Sequence, residues 1–342
     1  MPEISRRIVL ASRPAAEPQP DNFRLEESPV AQPGAGEILL RTLWLSLDPY
    51  MRGRMSDAPS YAAPVQIGQV MEGRAISEVV ASNVDGYAKG DLVFGNTGWQ
   101  THAISTGRGL RKVERTSGVE LPALLGVLGM PGMTAYSGLL EIGRPKAGET
   151  VVVAAASGAV GQVVGQIARI KGARAVGIAG GPEKCRFVTE ELGFDACLDH
   201  RAPDLAARLK EACPQGVDVY YENVGGKVFE AVFPLFNNFA RIPVCGLIAQ
   251  YNAASAPADA MPVPVLMRQV LTKRLNFRGF IVSDFAALEP DFRRDMTEWV
   301  RDGKVKHREY IVEGLENAPR GLIGLLRGEN FGKTVVRVAA DA

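Results

Sequence analysis

Hydrophobic and polar positions divide the chain into two textures. Val151 to Ala156 is continuously apolar, as in a parallel strand buried on both faces. From Ala159 to Lys171 the period changes: Val160, Val163, Val164, Ile167 and Ile170 recur at steps of three and four, the apolar stripe of a helix. Strands are then predicted at Arg174 to Ala179, Ala196 to Leu198 and Val217 to Glu222, separated by helices at Pro182 to Leu192 and Pro203 to Ala212. Ala240 to Leu247 and Asn276 to Val282 read as further strands, and Phe292 to Asp302 as a helix. Strand and helix alternating in this way predict a doubly wound parallel sheet.

Upstream of about residue 120 the texture is that of an irregular β-rich lobe. Short β-type runs at Glu37 to Leu43, Val65 to Gly73 and Asp91 to Phe94 are bounded by turn formers such as Gly34-Ala35-Gly36 and Lys89-Gly90-Asp91. Tyr310 to Val312 and Thr334 to Val338 are again β-like and are expected to return to this first lobe. The expected division is 1–125 completed by 308–342, and 126–307. Ala253 to Pro264, rich in Ala and Pro, reads as a loop.

At 342 residues the chain exceeds one ordinary hydrophobic core, which agrees with two lobes. A formal charge of +1 provides no net field for nucleic acid or anionic lipid. No run reaches the roughly twenty apolar residues of a membrane span, and no secretory signal is expected. Cys185, Cys197, Cys213 and Cys245 form no CxxC pair and read as reduced thiols of a cytoplasmic protein.

The sharpest local signal is Ala154-Ala155-Ala156-Ser157-Gly158-Ala159-Val160-Gly161, between the first buried strand and its helix. Small residues there let the backbone approach a pyrophosphate, whose charge the free amides of the helix start stabilise. The second strand ends in Ile178-Ala179-Gly180-Gly181-Pro182-Glu183-Lys184, without the carboxylate that NAD-type sites place against the ribose hydroxyl. Lys184 offers a positive charge for a 2′-phosphate, so NADPH is expected over NADH. His200 either lies beside the adenine ribose or caps a loop.

With these segments and Tyr221-Glu222-Asn223-Val224-Gly225-Gly226 in place, the sequence resembles the medium-chain dehydrogenase/reductase superfamily. The likeness is to its zinc-independent branch of leukotriene B4 12-hydroxydehydrogenase/prostaglandin reductases, plant double-bond reductases and curcumin reductases. It spans almost the whole chain. Its markers are Leu47-Asp48-Pro49-Tyr50-Met51-Arg52, Gly129-Met130-Pro131-Gly132-Met133-Thr134-Ala135-Tyr136, the turn at 156–161, Cys245-Gly246-Leu247-Ile248 and Gly328-Glu329-Asn330-Phe331-Gly332-Lys333. The resemblance implies a Rossmann sheet plus a GroES-like catalytic lobe built from both chain ends, and a homodimer joined through edge strands near Phe277 to Val282. It implies that Gly158, Ala159, Val160 and Gly161 hold pyrophosphate and Lys184 the 2′-phosphate of NADP(H). His200 stands where relatives carry a tyrosine near the adenosine phosphate. Asn223, Cys245, Gly246, Leu247, Ile248, Tyr251, Phe280, Ile281, Val282 and Asn330 would line ribose and nicotinamide.

Zinc-dependent members of the superfamily carry a Gly-His-Glu motif and a cysteine-rich loop. This chain reads Ile67-Gly68-Gln69-Val70-Met71-Glu72 at the corresponding stretch and has no cysteine before Cys185, so no metal site is expected. The expected substrate is a small enone or enal. Hydride delivery to the β-carbon of an enone leaves negative charge on the carbonyl oxygen, which hydrogen-bond donors must meet. Tyr50 and Tyr251 are the candidates for binding or polarising that carbonyl, with Tyr61 in the substrate pocket. Several relatives place a tyrosine eight residues before the Phe of the last strand, where this chain has Thr272. That departure points to a broad enone reductase over a prostanoid specialist. A zinc-free quinone reductase, separated by product analysis, and a non-catalytic NADPH-binding protein, separated by tight NADPH binding without turnover, are the alternatives.

Overall fold

The computed structural model describes residues 3–114, 119–253 and 260–340. The chain divides into two units, Met1–Leu125 with Glu309–Ala342, and Gly126–Arg308.

In the first unit the strands are β1 (Ile4–Leu10), β2 (Phe23–Pro29), β3 (Ile38–Ser46), β4 (Arg74–Ser82), β5 (Leu92–Asn96), β6 (His102–Ser105) and β7 (Arg111–Val113). The second unit contributes β8 (Thr150–Ala154), β9 (Arg174–Ala179), β10 (Ala196–Asp199), β11 (Val217–Tyr221), β12 (Phe236–Val244) and β13 (Asn276–Gly279). The chain then returns to the first unit with β14 (Glu309–Glu313) and β15 (Lys333–Arg337).

The second unit is a six-stranded sheet in the order β10-β9-β8-β11-β12-β13, every pairing parallel. This is the 3-2-1-4-5-6 order of a Rossmann sheet, with its switch point between β8 and β11. All five residues of β8 are buried, which explains the apolar run that begins at Val151. The helix Gly161–Ile170 buries Val163, Val164 and Ile167, the face its periodicity predicted. Beyond β12, β13 forms one edge of the sheet. Before it, the helix Val263–Lys273 buries none of its residues, leaving Val263, Met267 and Leu271 exposed.

The first unit packs a seven-stranded sheet, β14-β15-β3-β4-β5-β7 with β6 on β3, beside the hairpin β1-β2. Its strands are antiparallel except for the parallel pair β14-β15. Leu10, Leu45, Leu47, Met51, Trp99, Leu322 and Val336 share one core cluster, so the segment after β3 is anchored from beneath.

Several expectations shift. Val65 to Gly73 is not a strand: a turn from Gln66 to Gln69 interrupts it, and it meets β1 through an isolated Val9–Val70 bridge and bonds such as Met71 N to Ile8 O (2.9 Å). The strand begins at Arg74 instead. The fifth Rossmann strand runs over Phe236–Val244, earlier than Ala240 to Leu247. Of the Ala253 to Pro264 loop, residues 254–259 lie outside the described residues, and Val263 onward is helical. Among the described residues no helix is long and apolar enough to cross a membrane.

Candidate functional site

At the end of β8 the chain turns sharply into its helix. Ala155 sits at φ +51°, and Ala156 N donates to Ile178 O on the neighbouring strand (2.9 Å). A Cβ on Gly161 would lie 2.2 Å from Ala155 O and 2.8 Å from Ala155 C, so only glycine allows the helix to start this close to the turn. A Cβ on Gly158 would meet nothing nearer than Ala155 O at 3.2 Å. No side chain caps the helix; the amides of Gln162 and Val163 are taken by Gly158 O (3.0 Å) and Val160 O (3.0 Å), so the small-residue turn that precedes them is the stretch an outside partner can approach. The residues present therefore fit a pyrophosphate.

Across the switch point, Asn223 Nδ2 donates to Ala154 O (2.8 Å). Asn223 is held there by Glu222, a buried carboxylate whose Oε1 accepts the amides of Val224 (2.7 Å) and Gly225 (2.9 Å). Burial raises the Glu222 pKa, against the lowering effect of those amides. The loop after β12 is bonded to the same corner: Cys245 N donates to Glu222 O (2.9 Å) and Ile248 N to Asn223 O (3.1 Å). Tyr251 folds back so that Leu247 N reaches its hydroxyl at 3.4 Å. The structure thus gathers Gly158–Gly161, Asn223, Cys245–Ile248 and Tyr251 at one end of the sheet. Burial pushes the Cys245 thiol up to about 12, so it is a neutral thiol at physiological pH. Phe280 packs edge-on against Tyr221, ring centroids 6.5 Å apart, while Ile281 and Val282 are half-buried.

At the end of β9, Lys184 is only 8% exposed. His200 lies on the surface after β10, where partial burial of its ring and the charges of Arg201 and Lys184 pull its pKa below the usual imidazole value, against Asp199. Thr272 is exposed on the helix Val263–Lys273.

In the first unit Tyr50 is half-buried and immediately precedes the short helix Met51–Arg54. Burial, and then the negative charges of Asp48 and Glu72, raise its pKa far above that of a free phenol; the hydroxyl keeps its proton and acts as a donor. The Arg54 guanidinium faces the rings of both Tyr50 (5.5 Å) and Tyr61 (4.7 Å), a cation–π arrangement fixed by its Nε on Glu72 Oε1 at 2.7 Å. Tyr61 is otherwise exposed. Beneath Tyr50, Lys333 Nζ donates to Asp48 Oδ1 (2.8 Å) and Leu47 O (2.5 Å), and Ser46 Oγ donates to Asp48 Oδ2. Lys333 and Asp48 are 1% and 4% exposed. Asn330 is buried and donates to Gly332 O (2.8 Å).

Sequence reasoning did not single out Glu222, Arg54 or Asp48 and Lys333 as a pair. For Lys333 a signal existed: a lysine opening the β-like stretch Thr334 to Val338, just before Val335 and Val336, calls for an anion if it is buried, and Asp48 lies in another of the family markers.

Among the described residues no group of three His, Cys, Asp or Glu side chains is placed to hold a metal ion. Two families match the chain: one described as the N-terminal domain of oxidoreductase, over residues 6–113, and one described as zinc-binding dehydrogenase, over residues 159–301. The chain is 58% identical over 339 residues to the NADPH-dependent curcumin reductase of Escherichia coli (strain K12), covering 98% of each. Prostaglandin reductase 1 of Bos taurus is 40% identical over 324 residues, 94% of this chain and 95% of that one. The crystal structure of CurA in complex with NADPH from Vibrio vulnificus superposes with a TM-score of 0.95 at 53% identity, over 98% of this chain and all of that one. The chain belongs to the medium-chain dehydrogenase/reductase superfamily, in the branch of the curcumin and prostaglandin reductases.

Proposed function

We propose that this protein reduces the conjugated carbon–carbon double bond of α,β-unsaturated ketones and aldehydes at the expense of NADPH. The observation that carries this reading is the 58% identity, end to end, to an NADPH-dependent curcumin reductase. NADPH, when bound, supplies the hydride that reaches the β-carbon.

The chain's own residues take the remaining roles. Gly158, Ala159, Val160 and Gly161 offer backbone amides to the pyrophosphate, and Lys184 with His200 faces the adenosine phosphate. Asn223, the strand end Cys245–Ile248, Phe280 to Val282 and Asn330 position ribose and nicotinamide. Tyr50, a phenol kept protonated by its surroundings, and Tyr251 donate hydrogen bonds to the carbonyl oxygen, where negative charge collects. Tyr61, held against Arg54, contributes to the substrate pocket. The unit formed from both chain ends is read as the catalytic lobe and 126–307 as the dinucleotide-binding lobe, in a cytoplasmic protein.

NADPH oxidation with simple enones tests the reading: saturated ketone is the expected product. Tyr50→Phe is expected to lower kcat by roughly a hundredfold, the usual effect of losing one donor to a developing oxyanion, with the KM for NADPH unchanged. If neither Tyr50→Phe nor Tyr251→Phe lowers kcat, the tyrosine roles are wrong.

The chain is also read as a homodimer joined near Phe277 to Val282. The free edge of β13 and the exposed Val263, Met267 and Leu271 support this, because unpaired edges and clustered apolar side chains are ordinarily covered. Light scattering at the mass of a single chain would contradict it.

A further inference from the structure

An exposed cation beside the end of β9 is Arg201, in the loop that follows β10. A Cβ on Gly180 would lie 2.9 Å from His200 Nε2 and 3.5 Å from both Nε and Nη2 of Arg201; one on Gly181 would lie 3.7 Å from Arg201 Nη1. Imidazole and guanidinium therefore rest against the glycine pair, where any larger residue would displace them. Asp199 fixes this arrangement from both sides, because its Oδ1 accepts the amides of Gly181 (2.8 Å) and Arg201 (2.9 Å). Burial opposes the Asp199 charge, yet those amides and the neighbouring cations hold its pKa below the usual carboxylate value. The carboxylate is thus committed to shaping the loop.

The Arg201 side chain is exposed and makes no ion pair or side-chain hydrogen bond among the described residues, whereas Lys184 is largely buried. In a Rossmann unit the adenine ribose lies beyond the end of the second strand, and a cation near that end accommodates a 2′-phosphate. A guanidinium presents two parallel N–H donors to a phosphate, which a point-charge ammonium does not.

We propose that Arg201 is a specificity-determining residue that clamps the 2′-phosphate of NADPH across Gly180-Gly181 and sets the preference over NADH. This rests on the reading of the protein as an NADPH-dependent enzyme.

Calorimetric titration of the full chain with NADPH, NADH and 2′,5′-ADP tests it without turnover. Arg201→Ala is expected to weaken NADPH and 2′,5′-ADP by about tenfold to a hundredfold, the usual loss for hydrogen bonds to a charged group. NADH affinity should change less than about twofold, since a cofactor lacking that phosphate loses no contact. Arg201→Lys should recover only part of the loss, because it restores charge without the fork. Equal weakening of NADPH and NADH, or none, overturns the assignment while leaving the NADPH reading intact, provided the unaltered protein binds NADPH more tightly than NADH. If the unaltered protein shows no such preference, the reading and the assignment fall together.

Discussion

Lys333→Met is expected to lose about 3 to 5 kcal/mol of unfolding free energy, the cost of stranding one member of a buried ion pair. Lys333 is 1% exposed, and its ammonium is shared between Asp48 Oδ1 and Leu47 O. Burial pulls the Lys333 pKa down and Asp48 opposes that shift. Methionine fills much of the volume but leaves the Asp48 carboxylate in the core with only Ser46 Oγ as a partner. The carboxylate must then take up a proton or draw in water, and either response disturbs the turn that continues through Pro49 into Tyr50. Urea unfolding measures the loss. The double variant Asp48→Leu/Lys333→Met should recover much of it, because replacing both partners removes the stranded charge. A single variant within about 1 kcal/mol of the unaltered protein, comparable to an exposed pair, would show that this contact does not anchor the Tyr50 segment.

Gly161→Ala is expected to abolish NADPH binding in calorimetric titration and to destabilise the chain by about 1 to 3 kcal/mol, as overpacking does. The atoms within 2.8 Å of the added methyl are all backbone, Ala155 O and C and Ala156 Cα, so no side chain can swing away. The helix start must move off the turn, and the amides facing the pyrophosphate move with it. Gly158→Ala separates packing from ligand approach. Its added methyl meets only Ala155 O, at 3.2 Å, so stability should change little. Affinity for NADPH should nonetheless fall where the backbone has to approach the pyrophosphate closely. Retained NADPH affinity in Gly161→Ala would mean that the turn is structural only.

What could be read from the sequence followed from burial geometry. Parallel strands covered on both faces announce themselves as unbroken apolar runs, and the expectation for β9, Arg174 to Ala179, coincides with the observed strand. In the first unit β2 exposes most of its residues, and neither β1 nor β2 stood out against a Pro- and Gly-rich background. The helix Val263–Lys273 was missed for a related reason. With no fully buried residue and two prolines at its start, it turns only Leu266 and Val270 toward the core, too narrow a stripe to stand out in the sequence. The glycine turn and Asn223 were legible because local motifs fix them. Asp48 with Lys333 was not, since the partners lie 285 residues apart and only the fold pairs them. Arg201 was missed because its significance depends on Asp199 bending the loop back over Gly180-Gly181.

Hydride from NADPH is expected at the β-carbon of an enone, and the position of an isotopic label decides it. The protein would be incubated with a simple enone and NADPH deuterated at the nicotinamide carbon that gives up hydride, and the product read by NMR. The expected product is a saturated ketone with one deuterium at the β-carbon. Deuterium on the carbinol carbon of an allylic alcohol, or no deuterium in the product, would contradict it.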